Sequence, residues 1–118
     1  MEYATASTDD IDSVMPEEHG SMWFFREPLE CENVGVTLLE LEPDSKGKAH
    51  DHADDGQEEV YLVVDGELTV QVSGGEEAPP EAELSLAAGE AVRIGPETHR
   101  QLHNHGDGRA RVVVAGAP

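Results

Sequence analysis

The chain has 118 residues and a formal charge of -19, from 26 acidic against 7 basic side chains. That length accommodates one domain with one proper core. The acids run from Glu2 to Asp107 and only Lys46 and Lys48 are lysines; this balance argues against nucleic acid and anionic membranes as partners, because both need basic patches.

Cys31 is the single cysteine, so an internal disulfide and a cysteine-built zinc site are both ruled out. A free thiol fits a reducing cytoplasm. No apolar run is long enough to span a membrane, and the first ten residues, M-E-Y-A-T-A-S-T-D-D, carry no leader pattern. The expected location is therefore cytoplasmic. The evenly acidic, lysine-poor surface also resembles that of proteins from salt-loving microbes, which stay soluble where charge is heavily screened.

In chain order, Ser7-Thr8-Asp9-Asp10 is expected to cap a short helix running to about Val14, with Pro16 beyond its end. Trp23, Phe24 and Phe25 hold most of the aromatic content and read as core or interface anchors, with substrate stacking as the alternative. Val34 to Leu41 has strand alternation and is followed by a turn at Pro43 to Gly47. Ala53 to Gly56 is loop-like, Val60 to Val64 is strongly strand-forming, and Glu67 to Ser73 alternates Leu68, Val70 and Val72 with polar residues. Asp65-Gly66 between these two runs is a hairpin signal. Gly74 to Glu83 reads as a solvated loop. Short strands follow at Leu84–Leu86, Ala91–Ile94, His99–Asn104 and Arg111–Ala115. Many short strands with turn residues between them imply an all-β sandwich or barrel. Residues 1–33 form an N-terminal extension with the helix and a first strand, and residues 34–118 form the barrel.

The sharpest chemical signal is His50-Asp51-His52. In an extended chain, residues two apart share a face, so both imidazoles point one way and Asp51 the other. Two neutral imidazoles and a carboxylate can hold a divalent transition metal; the plainer reading is two solvent-facing histidines on an acidic loop. Glu59, Tyr61 and Val63 share one face of the next strand, and Glu58, Val60, Leu62 and Val64 share the other. Both faces are apolar, so parity alone leaves the choice between Glu58 and Glu59 open. Asp51, Asp54 and Asp55 read as a solvated rim, His103 and His105 as rim or surface residues, and Tyr61 as a core tyrosine or a pocket hydroxyl. His19 has no assigned role.

Gly47, His50, His52, Glu59 and Gly66 together resemble the first motif of the cupin superfamily. Gly89, Pro96, His99 and Asn104 echo the second. The resemblance implies a small double-stranded β-helix barrel of jelly-roll type, a metal site inside it, a small-molecule ligand and a homodimer. It selects Glu59 as the carboxylate and gives His50, His52, Glu59 and His99 as metal ligands, with Glu58, Tyr61, Arg100 and His103 as pocket candidates. It names no catalytic residue and does not distinguish zinc, iron, manganese or nickel. The second motif departs from the family in one respect: four residues before Asn104 stands Arg100, not His99. Parity places Arg100, Leu102 and Asn104 on one face and His99, Gln101 and His103 on the other. Either a bulge near Gly95-Pro96-Glu97 turns His99 to the metal, or Arg100 takes the ligand place. In the second case the site has three ligands, or it is a metal-free anion pocket. The implied functions are a metal-dependent dioxygenase or isomerase, a non-catalytic small-metabolite or anion module, or a structural dimer with a vestigial site.

Overall fold

The computed structural model describes residues 2–118. Eight strands follow a 3-10 turn at Thr8–Asp10: β1 Gly20–Phe24, β2 Gly35–Leu41, β3 Glu58–Asp65, β4 Glu67–Ser73, β5 Ala82–Ala87, β6 Ala91–Ile94, β7 His99–His103 and β8 Ala110–Ala117. They form two antiparallel sheets, of order β1-β2-β8-β3-β6 and β5-β4-β7. The all-β barrel expected from the strand pattern is the observed architecture.

Period-two alternation explains how the sheets face each other. Leu39 and Leu41 of β2, Tyr61 and Val63 of β3, Leu68 and Val70 of β4, and Val112 and Val114 of β8 are buried between the sheets. Residues of opposite parity on β3, namely Val60, Leu62 and Val64, are exposed on the outer face. Glu59 belongs to the inward set of β3, which settles the choice that sequence parity leaves open.

Two local expectations fail. The N-terminal helix is only the turn Thr8–Asp10. Ser7 does cap it, accepting a hydrogen bond from Asp9 N. Ile11 is already extended, and Val14 N donates to Met22 O while Met22 N donates to Ser13 Oγ. Pairing with β1 thus outcompetes a helix too short to repay its nucleation. Asp65-Gly66 does not close a hairpin either: β3 lies in the five-stranded sheet and β4 in the other, so the chain turns a corner here. Gly66 has φ +77°, and a Cβ added there would come within 2.5 Å of Arg109 O. β5 also begins earlier than expected, at Ala82, where Gln71 Nε2 donates to Glu83 Oε1 across the β4–β5 pair.

Asn104 ties the ends of several strands together. Its fully buried side chain donates to Leu41 O and Gly108 O and accepts from Gly106 N, each at 2.9 Å. No helix among the described residues is long and apolar enough to cross a membrane.

Two substitutions test this reading by urea denaturation. Asn104→Ala is expected to cost roughly 3 kcal/mol, because it leaves buried backbone groups unpaired. Gly66→Ala is expected to cost about 3 kcal/mol or more, from a left-handed conformation together with a backbone clash. Gly56→Ala is the control: φ is +69° but nothing lies within 4 Å of the added carbon, so only the conformational cost of about 1 kcal/mol applies.

Candidate functional site

The site is positioned by a slip in register. The segment before β3 runs antiparallel to β7, bridging it at Lys46↔His103 and again at His50↔Arg100. Gly47 N donates to Leu102 O, and His50 and Arg100 exchange both backbone hydrogen bonds at 2.9 Å. Four residue steps from 46 to 50 therefore face three steps from 103 to 100, which is a β-bulge. Directly opposed residues of an antiparallel pair share a face. Lys46 and His103 thus lie together on the outer face, whereas His50 and Arg100 lie together on the inner one. The bulge is in the 46–50 segment, not at Gly95-Pro96-Glu97, and it brings Arg100 rather than His99 to the side of His50.

His50, His52 and Glu59 converge. Each offers one ligand atom, and the three atoms lie within 4.8 Å of one another. His50 Nε2 is 3.6 Å and His52 Nε2 is 3.2 Å from Glu59 Oε1. The far nitrogen of each ring is held. His50 Nδ1 is 2.9 Å from Lys48 O, which can only accept, so Nδ1 carries the hydrogen. His52 Nδ1 is 3.1 Å from the Asp55 carboxylate, and there too the ring nitrogen donates. Both Nε2 lone pairs are then free toward the centre, the arrangement that orients histidine ligands in metal sites. His52 Nε2 is buried and makes no hydrogen bond despite its closeness to Glu59; a cation at the centre would satisfy it. On chemistry and spacing, the donor set fits a divalent transition metal.

Two further groups, Tyr61 and Arg100, set the electrostatics. Tyr61 Oη donates to Glu59 Oε1 at 2.6 Å. Burial, then this bond to a carboxylate, raises the tyrosine pKa far above its ordinary value, so Tyr61 keeps its proton. Without a metal, the two rings take a proton at Nε2 instead: burial pushes Glu59 upward, but hydrogen bonds from protonated His50 and from Tyr61 and the charges of His52 and Arg100 outweigh it, holding the carboxyl at about 2. The hydrogen bond to Glu59 raises the His50 pKa, against partial burial and the Arg100 charge. Arg100 is fully buried: Nη2 donates to Gly95 O at 3.2 Å, while Nε and Nη1 have no partner among the described residues.

The other expected site residues lie elsewhere. His99 is not part of the three-ligand cluster; its Nδ1 sits 3.7 Å from Asp51 Oδ2. Glu58 is on the outer face of β3, 3.6 Å from Arg93. His103 is on the outer face of β7, stacked on His105. Glu58 and His103 are thus kept out of the pocket by strand parity.

The cluster forms one pole of a cavity of about 280 Å³, otherwise walled by Met15, Met22, Phe24, Leu39, Leu102 and Val114. A second concavity of about 610 Å³ shares His52, Glu59, Phe24, Thr37 and Val114 with it. Two contributions are hidden in the sequence. Met15 and Phe24 reach the cavity from the N-terminal extension, and Phe24 fits the alternative of a pocket aromatic better than that of a core anchor, with 49% exposure. Asp55 belongs to the expected rim, yet it orients His52; the available signal is its place three residues on, before Gly56, whose φ of +69° turns the loop back.

The cupin domain profile matches residues 37–116. No curated protein sequence matches the chain. Among solved structures, a sugar phosphate isomerase from a cupin superfamily, from Silicibacter pomeroyi, aligns with TM-score 0.74 and 23% identity over 97% of this chain and 75% of its own. A protein from Thermus thermophilus aligns with TM-score 0.72 and 23% identity over 98% and 97% of the two chains. A Lactobacillus farciminis oxalate decarboxylase, in a formate complex, aligns with TM-score 0.77 and 18% identity over 93% of this chain but 32% of its own. These likenesses are in fold. The domain match covers most of the chain and agrees with the barrel and its inward histidines, and on that ground the chain belongs to the cupin domain family.

Proposed function

We propose that this protein holds one divalent transition metal on His50, His52 and Glu59 and binds a small molecule in the adjoining cavity. The observation that carries the reading is the pair of freed Nε2 atoms facing one ionised carboxylate. When bound, such a metal supplies Lewis acidity toward a ligand oxygen. The chain's own residues do the rest. Lys48 O and Asp55 fix the two rings, and Tyr61 keeps its hydroxyl proton directed at Glu59. Arg100 places a positive charge behind the ligands, and Met22, Leu39 and Val114 keep the cavity apolar. Isomerase or dioxygenase chemistry on a small molecule is the enzymatic form of this reading. Among the described residues, none beyond the ligands, Tyr61 and Lys48 lines the cavity as an acid or base, so a binding module is equally served by the site.

A second reading is favoured by one observation: the buried Arg100 leaves two donors unpaired. In it a small anion, and no metal, is held beside Arg100, which borders a separate concavity of about 170 Å³ with Ala49, Ser73 and His99 rather than the cavity of the three ligands.

The same proposal carries a homodimer and a cytoplasmic, salt-rich setting. Trp23, Leu38, Val113, Leu62 and Ala91 stand in one register row across the outer face of the larger sheet. The charges beside that row are balanced, with Arg93 on Glu58 and Arg111 on Glu40. A nearly neutral apolar face on a chain of charge -19 suits a second copy better than a charged partner. Leu62→Glu is expected to leave a folded monomer, read by light scattering after size exclusion; an unchanged mass would remove the dimer. The salt-rich setting rests on the net charge, and the free Cys31 supports the cytoplasm.

Metal analysis after loading and desalting tests the main reading. One equivalent is expected in the parent protein and none in His50→Ala, His52→Ala or Glu59→Gln. Asp55→Ala is expected to keep the fold and weaken metal binding by roughly 10- to 100-fold, because it frees the His52 ring. Metal retained by all three ligand variants would refute the site. Absence of metal from the parent, with thermal stabilisation by formate that disappears in Arg100→Met, would establish the anion reading instead.

A further inference from the structure

Lys46 and Lys48 are the only lysines in a chain with 26 acids. Both line one concavity of about 670 Å³ that excludes His50, and Lys48 also borders the cavity of the three ligands. His19 and His103 line it too, against a single acid, Asp44. The sequence separates these residues widely; the register brings them together. Lys46 bridges His103 across the strand pair, so their side chains share the outer face. His105 stacks on His103 with ring centroids 5.2 Å apart and planes 15° from parallel.

Two observations point to a ligand in the concavity. His103 Nε2 is buried and has no hydrogen-bond partner among the described residues, which is costly for a polar ring atom. Burial, then the charges of His105 and Lys46, also depress the His103 pKa against the opposing pull of Glu83. In a protein so acidic, a positive concavity is a local reversal of the whole surface. It is also a fixed one. Gln101 Nε2 donates to Gly47 O at 2.9 Å, and Gly47 N donates to Leu102 O, which hold the backbone between the two lysines.

We propose that this concavity is an anion site for a phosphate group, either free or as the monoester of a small molecule. Two ammonium groups supply mobile point charges, and the His103 Nε2 supplies a directed donor once it carries a hydrogen. A phosphate dianion matches two lysines, and a turn of the His103 ring would bring its covered, unpaired nitrogen to it. It would also relieve the juxtaposition of Lys46 with two stacked imidazoles. The site is separate from the proposed metal ligands, since none of His50, His52 and Glu59 lines it.

Amide chemical-shift titration of the isotope-labelled full chain tests the proposal. The probes are inorganic phosphate and glycerol phosphate at constant ionic strength, with chloride as control. Saturable shifts at Lys46, Gly47, Lys48, Gln101 and His103 are expected with phosphate and not with chloride. Saturation by both probes assigns the site to a phosphomonoester, and saturation by inorganic phosphate alone assigns it to the free ion. The exposed pair change Lys46→Gln with Lys48→Gln is expected to weaken binding at least roughly tenfold while leaving strand resonances in place. His103→Ala, which removes the donor and leaves both charges, is expected to weaken it less. The proposal is overturned if neither probe gives saturable shifts there, if the shifts centre on His50, His52 and Arg100, or if the double variant binds phosphate as the parent does.

Discussion

Everything inside the barrel mouth depends on a one-residue slip between two short strand segments. Without it, Lys46 and His50 would share a face, since they are an even number apart, and Arg100 and His103 would still lie on opposite faces. The bulge resolves the conflict by turning His50 inward opposite Arg100 while Lys46 stays outside opposite His103. A single register decision thus creates two chemically different surfaces. The inner one carries two imidazoles, a carboxylate, a tyrosine and a guanidinium. The outer one carries Lys46 and two stacked histidines, and Lys48 borders the cavities on both sides.

The inner surface is held by a ladder of polar contacts rather than by exposure to water. Arg100 backs the ligands with a charge that cannot be removed, Glu59 stays ionised at about 2, and Tyr61 stays protonated. A buried carboxylate would ordinarily be expensive, because desolvation disfavours its charge. Here four neighbouring groups outweigh that cost. The same arrangement leaves Arg100 with two unmatched donors. A strained electrostatic state of this kind is tolerated where a ligand completes it, which places the emptiest hydrogen-bonding capacity beside the best metal-ligating set.

Much of the fold is legible in the sequence. The β4 and β6 strands fall where alternation puts them, because both carry a clean period of two and are bounded by turn residues. Parity groups Glu59 with Tyr61 and Arg100 with Leu102 along regular strands, but the preference for Glu59 over Glu58 comes from the cupin resemblance and not from parity. What stays hidden is irregular. Asp65-Gly66 has the chemistry of a hairpin, but a glycine at φ +77° serves a corner between sheets equally well, and only the pairing of β3 with β8 and β6 distinguishes them. The bulge at 46–50 leaves no compositional mark, so the sequence offers His99 or Arg100 without choosing. The short N-terminal helix yields to a tertiary contact, Val14 with Met22, that propensity does not register. Asp55 is invisible as a partner because its role depends on a loop returning, not on a period.

The central claim is that a metal would be held by two imidazoles and one carboxylate, His50, His52 and Glu59, and that His99 is not among its ligands. X-ray absorption at the metal edge of the zinc-loaded protein tests it most directly. Two imidazole nitrogens at about 2.0–2.1 Å with oxygen ligands completing the shell are expected, unchanged in His99→Ala. A third imidazole in the shell, lost in His99→Ala, would show that β7 shifts register on loading and would contradict the inward placement of Arg100.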